Sequence, residues 1–159
     1  MPGTQAAELL TACCGSSRWV AAMLTHRPFG SRDALMAAAD QVCLSLGPAD
    51  WLEAFSHHPR IGEQAAPVAP VAVASAWSTG EQAGMGSTSD AQRAELAAVN
   101  REYERRFGYI YIVCATGKQP EELLALARER LANPPEDELG IAAKEQQRIM
   151  RLRLEKLLS

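Results

Sequence analysis

Apolar residues recur along this chain at steps of three and four, a spacing that predicts a succession of amphipathic helices. A first short helix covers Ala6 to Cys14, and Gly15-Ser16-Ser17 ends it while offering caps for the next. The second, from about Arg18 to His26, puts Trp19, Val20, Met23 and Leu24 on one face before His26-Arg27-Pro28-Phe29-Gly30 stops it. Ser31 caps a third helix, Arg32 to about Leu46, whose inward stripe is Leu35, Ala38, Ala39, Val42 and Leu46 and which Gly47-Pro48 breaks. A fourth, Ala49 to His57, leads into Ser56-His57-His58-Pro59-Arg60-Ile61-Gly62, where Pro59 disfavours helical backbone at His58.

Beyond that turn, Ala65 to Ala72 carries two prolines and little periodicity, which reads as an ordered loop or extended segment able to cover a cleft. The Ser78-x-x-Glu81 spacing reads as a capping box at a helix start. Ser89 and Asp90 open a long helix running through Leu96, Val99, Asn100 and Tyr103 to Arg106, ended by Phe107-Gly108. Pro120 opens another, to about Asn133, on Leu123, Leu124, Leu126, Ala127 and Leu131. The last, Glu136 to Leu158, places Leu139, Ala142, Gln146, Ile149 and Arg153 on one side. Only Tyr109 to Ala115 is strongly β-prone, and a lone strand cannot make a sheet; this run is either a buried extended connector or a buried helix. The expected fold is all-α, a single-domain bundle of about seven to eight helices over residues 1–159.

Charge and composition narrow the function classes. A net charge of -3 with dispersed lysines and arginines argues against nucleic acid as the main partner. No apolar run reaches membrane-spanning length, and the N-terminus lacks the pattern of a secretory signal, so a soluble cytoplasmic protein without a membrane partner is expected. Cys13, Cys14, Cys43 and Cys114 show no Cys-x-x-Cys spacing and read as buried small apolar residues, neither a zinc site nor a disulfide framework.

The candidate chemistry gathers at His57-His58-Pro59, which holds two of the three histidines. A histidine at a helix end can exchange protons near neutrality, or the pair can simply solvate the last carbonyls. Glu81 and Gln82 can present a carboxylate and an amide to a polar ligand, and a carboxylate beside His58 would orient the imidazole and set its proton affinity. An extended run at 109–115 would expose backbone amides and carbonyls to a ring rich in amide groups. Arg153, between Leu152 and Leu154, needs an acidic side chain or an anionic ligand if buried, or it snorkels at the helix end.

Taken together, these pieces resemble the 2-oxo-4-hydroxy-4-carboxy-5-ureidoimidazoline (OHCU) decarboxylases, cofactor-free enzymes that finish uric acid oxidation to allantoin. The resemblance is spread over most of the chain: Arg27-Pro28-Phe29, His58-Pro59 with Gly62, Ser78-x-x-Glu81-Gln82 followed by Ala83-Gly84-Met85, and Asn100-x-x-Tyr103-x-x-x-Phe107-Gly108. It continues through Tyr111 to Ala115, Arg130-x-x-Asn133 and Leu152-Arg153-Leu154. It implies an all-helical homodimer that acts on OHCU without metal or other cofactor. It also implies a catalytic pair, His58 and Glu81, and a substrate-binding set of Pro59, Ser78, Gln82, Arg153 and backbone groups at Ile112 and Ala115. The chain departs from the family at His58-Pro59-Arg60-Ile61-Gly62, where His-Pro-Asp-Leu-Ala-Gly is frequent, and at Phe107-Gly108-Tyr109-Ile110-Tyr111, where Phe-Gly-Phe-Pro-Phe is frequent. Two other readings stay open on the residues alone, a non-catalytic helical interaction module and a metal-dependent amidohydrolase, although none of the histidines falls in a spaced ligand motif.

Overall fold

The computed structural model describes residues 1–62 and 72–159, and every regular element among them is helical. In order these are α1 (Gly3–Cys13), α2 (Ser17–Thr25), α3 (Arg32–Leu44), α4 (Pro48–Phe55), α5 (Ala72–Glu81), a 3-10 turn (Ala83–Ser87), α6 (Asp90–Phe107), α7 (Pro120–Leu131) and α8 (Pro135–Leu158). The all-α expectation holds. The loop expected from Ala65 falls outside the described residues, except that Ala72 already opens α5.

Local chemistry explains most helix ends. Ser16 Oγ accepts from the Trp19 N–H at 3.2 Å and Ser31 Oγ from the Ala34 N–H at 3.1 Å, so both serines satisfy donors that a helix start leaves open. Ser89 and Gln92 form a reciprocal capping box at α6. Pro120 stands at the start of α7, where its missing N–H costs nothing. Pro48 does the same for α4, one residue earlier than the sequence pattern suggests, and the Gly47 N–H there donates to Asp50 Oδ2 at 3.0 Å. α3 stops at Leu44 because Ser45 and Leu46 bond three residues back, to Val42 and Cys43, tightening the last turn.

Ser78 is a correction. It lies in the interior of α5 and does not cap it, because the alanine-rich residues before it already carry the helix. The β-prone run is settled too: residues 110–115 form a connector that is neither helix nor strand.

The chain separates into two compact groups, Met1–His57 with Gln146–Ser159, and His58–Glu145; α8 supplies residues to both. In the first group α2 packs on α1, α3 and α4. Trp19 is fully buried there with Met23, Cys13 and Phe55, and its indole Nε1 donates to the Ala39 carbonyl at 3.4 Å. Asp40 of α3 receives Gln147 Nε2 at 3.1 Å and pairs with Arg151, which fastens the end of α8 to α3. In the second group α6 packs on α7 around Leu96, Val99, Tyr103, Leu123 and Ala127. Along α8 the buried stripe is Glu138, Ala142, Glu145, Gln146, Ile149 and Arg153, while Leu139, expected inward, is only half-buried.

Candidate active site

The histidine turn is built by the end of α4. Ser56 Oγ donates to the Glu53 carbonyl at 2.6 Å and the His57 N–H to the Ala54 carbonyl at 3.2 Å, closing the helix just before His58 and Pro59, both half-buried. Arg60 then forks onto Glu104 of α6, with Nε 2.9 Å from Oε2 and Nη2 2.8 Å from Oε1. Ile61 is buried, and Gly62 turns the chain at φ +91°, a left-handed conformation that disfavours a side chain. The Gly62 N–H donates to Gln82 Oε1 at 2.9 Å. This one bond ties the histidine turn to the end of α5.

Ser78 and Glu81 are three residues apart on one side of α5, and both are buried, Glu81 at 9% exposure. Gln82 follows directly. Its Oε1 is engaged by Gly62, and its Nε2 is a donor that can face a further partner. The 3-10 turn after it needs Gly84, because a Cβ there would stand 2.4 Å from the Lys118 carbonyl oxygen.

The connector closes this region. Tyr111, Val113 and Ala115 join Ile61 and Met85 in one apolar cluster, so the histidine turn, the 3-10 turn and the connector share a core. Alternate residues carry the polar fastening: Arg130 Nη1 donates to the Ile112 carbonyl at 2.7 Å, and the Cys114 N–H donates to Glu145 Oε1 at 3.1 Å. Lys118 Nζ reaches the Cys114 carbonyl at 2.8 Å and its N–H the Ala115 carbonyl at 3.0 Å. The Ile112 and Ala115 carbonyls thus each accept one hydrogen bond within the fold.

Behind the connector sits a charged pair. Arg130, Nε 2.8 Å from Glu138 Oε2, is buried, and Glu138 is fully so; Tyr103 also donates to this carboxylate and Asn133 Nδ2 reaches its Oε1 at 3.1 Å. Burial works against the Arg130 charge, yet the Glu138 hydrogen bonds and negative charge keep its pKa above the usual value. Burial raises the pKa of Tyr103, and its bond to Glu138 raises it further; burial does the same at Tyr111.

Arg153 belongs to the first group and is described there alone. It is 3% exposed, so it does not snorkel, and Nη1 donates to the Ala12 carbonyl at 2.8 Å in the last turn of α1. His58, Pro59, Ser78, Glu81, Gln82, Ile112 and Ala115 all fall in the second group.

Sequence reasoning missed Arg130, Glu138 and Glu145 as the groups that hold the connector. The signal was present in part: Glu138 and Glu145 are seven residues apart, flanking Ala142 on the inward side of α8, where a carboxylate needs a buried partner. Among the described residues no group of three or more His, Cys, Asp or Glu is arranged to hold a metal ion, and no helix is long and apolar enough to cross a membrane.

Comparison with known proteins bears directly on this arrangement. The family model for OHCU decarboxylase matches residues 1–155. The chain is 40% identical over 147 residues to the uric acid degradation bifunctional protein TTL of Arabidopsis thaliana, covering 92% of this chain but 45% of that protein. It thus spans less than half of that relative's length. Similarity to the 2-oxo-4-hydroxy-4-carboxy-5-ureidoimidazoline decarboxylase of Amia calva is 31% over 140 residues, 87% of this chain and 78% of that one. A crystal structure of an OHCU decarboxylase in the presence of (S)-allantoin superposes with a TM-score of 0.80 at 36% identity, covering 94% of this chain and 96% of that one. The chain belongs to the OHCU decarboxylase family, the carboxy-lyases of uric acid degradation.

Proposed function

We propose that this chain converts OHCU to S-allantoin, acting as one catalytic domain over residues 1–159. The observation that carries the proposal is the overlap, across nearly the whole of both chains, with a decarboxylase solved in the presence of (S)-allantoin. The hydrogen bond between Gly62 and Gln82 supports it from within, since it joins the segment holding His58 to the one holding Glu81.

Loss of CO2 breaks the bond from the ring carbon to its carboxylate and leaves an electron pair that needs a sink. The substrate carries its own: that carbon adjoins a C=N bond of the imidazoline ring, which accepts the pair and gives an enamine-like intermediate. The protein has to hold the carboxylate out of the ring plane, stabilise charge on the ring and deliver a proton to one face. His58 manages the proton at the substrate hydroxyl or ring, and Glu81 orients the imidazole. Pro59 shapes the wall beside His58. Ser78, the Gln82 amide, backbone groups of Ile112 and Ala115 and the guanidinium of Arg153 bind the ring, the ureido group and the carboxylate. Protonation from one side yields the S enantiomer.

No cofactor takes part in this scheme, the enzyme works in the cytoplasm, and a homodimer is its working form, which sedimentation equilibrium would test. For the chemistry, His58→Ala and Glu81→Gln are each expected to lower kcat by about 10²-fold or more while leaving the helical circular dichroism unchanged. Near-wild-type turnover in either would remove that residue from the mechanism.

A further inference from the structure

The helix α6 grips three consecutive residues that follow His58 and Pro59. Glu104 holds the Arg60 guanidinium; Asn100 Nδ2 donates to the Ile61 carbonyl at 3.1 Å; Arg93 Nη1 donates to the Gly62 carbonyl at 3.3 Å. Positions 93, 100 and 104 recur on one face of the helix, at steps of seven and four. Arg93 also reaches the Met85 carbonyl with Nη2 at 3.2 Å, so one guanidinium spans the histidine turn and the 3-10 turn that follows Gln82.

Asn100 is the buried member of this row, at 3% exposure. Its orientation is fixed by chemistry, because the Ile61 carbonyl accepts only from a donor and the amide must turn Nδ2 toward it. Its Oδ1 is then buried with no hydrogen-bond partner among the described residues. Such an orphaned acceptor is uncommon in a folded protein and calls for a reason. Stability would be served by an apolar side chain of similar shape; the amide is explained by the bond its side chain makes among the described residues, to the backbone three residues after His58.

We propose that Asn100 is a positioning residue for His58, acting through the Ile61 carbonyl, with Arg93 as a second, exposed anchor that keeps the histidine turn in register with the 3-10 turn that follows Gln82. This rests on the reading of His58 as the proton-handling group, and the test separates the two. Asn100→Leu keeps the branched heavy-atom shape and removes both the donor and the orphaned oxygen. Arg93→Met removes only a partly exposed anchor and leaves the core untouched. His58→Ala is run in the same OHCU assay, and the imidazole signals of the three histidines are followed by NMR with His26, remote in sequence, as the internal reference.

A displaced reacting group of about 1 Å costs on the order of 10²-fold, so Asn100→Leu is expected to lower kcat by about that factor with little change in KM, and Arg93→Met by several-fold. Both are expected to move the His58 resonances and leave those of His26 in place. The proposal is overturned if His58→Ala is inactive while both other variants keep wild-type kcat and unshifted His58 signals. If His58→Ala stays active, the catalytic assignment of His58 fails, and the NMR shifts alone decide: moved His58 signals support the positioning role, unmoved signals end it. Should Asn100→Leu not fold, Arg93→Met carries the same two readouts.

Discussion

Gly62 donates its backbone N–H to the side-chain oxygen of Gln82 across 2.9 Å, so the amide that was expected to bind substrate first serves to hold the histidine turn. Its nitrogen is the donor that can meet a ligand. Gln82→Glu keeps the acceptor for Gly62 and replaces the donor with a second oxygen. We expect this variant to fold like wild type and to raise KM for OHCU by about fivefold or more, the equivalent of one lost hydrogen bond. A variant with unchanged KM would mean that Gln82 is structural only.

The Arg130 and Glu138 pair is buried, and removing one partner strands the other's charge. Glu138→Ala is expected to cost about 3–5 kcal/mol in urea denaturation. Because Arg130 also fastens the Ile112 carbonyl, amide exchange over 111–115 is expected to quicken more in Arg130→Met than over α7. Equal protection loss in both segments would show that the pair supports the whole group and not the connector.

The close approach of Gly84 to the Lys118 carbonyl leaves no room for a methyl group. Backbone cannot yield cheaply, so Gly84→Ala is expected to lower stability by about 1–3 kcal/mol and to disturb the segment just after Gln82. A melting curve matching wild type would contradict the contact.

All three tyrosines have pKa values raised above 10, first of all by burial. Raised values mean that the neutral phenols favour the folded state: this stability is whole below the unfolded pKa of about 10 and is lost as pH rises through the folded values. Tyr103 and Tyr111 should therefore stay neutral through pH 10 and ionise together with unfolding. Cys14 and Cys43, pushed by burial up to about 11 and about 12, should react slowly with alkylating reagents at pH 8. An ordinary tyrosine titration in folded protein would contradict the packing around Tyr103 and Tyr111.

Much of the fold could be read from short-range chemistry. Ser16, Ser31, Ser89 and Pro120 mark helix starts because a cap acts within three residues, and each does so in the structure. Ser78 misled because the same spacing has another meaning inside a helix that begins further upstream. The β-prone run could not be resolved from sequence, since its backbone is satisfied by Arg130 and Glu145, 18 and 31 residues from the atoms they bind. The Asn100 contact spans 39 residues and was equally out of reach. His58, Glu81 and Arg153 each stood out by residue type and position, but their joint roles came from the family resemblance, because a histidine, a carboxylate and an arginine far apart in a chain have no shared local signature.

The most direct test of the account is circular dichroism of freshly generated OHCU, made from urate by upstream enzymes, with and without this protein and with EDTA present throughout. Rapid, EDTA-insensitive growth of an optically active S-allantoin signal is the predicted result. Allantoin that forms only at the spontaneous rate, and as a racemate, would contradict the assignment of decarboxylase activity to this chain.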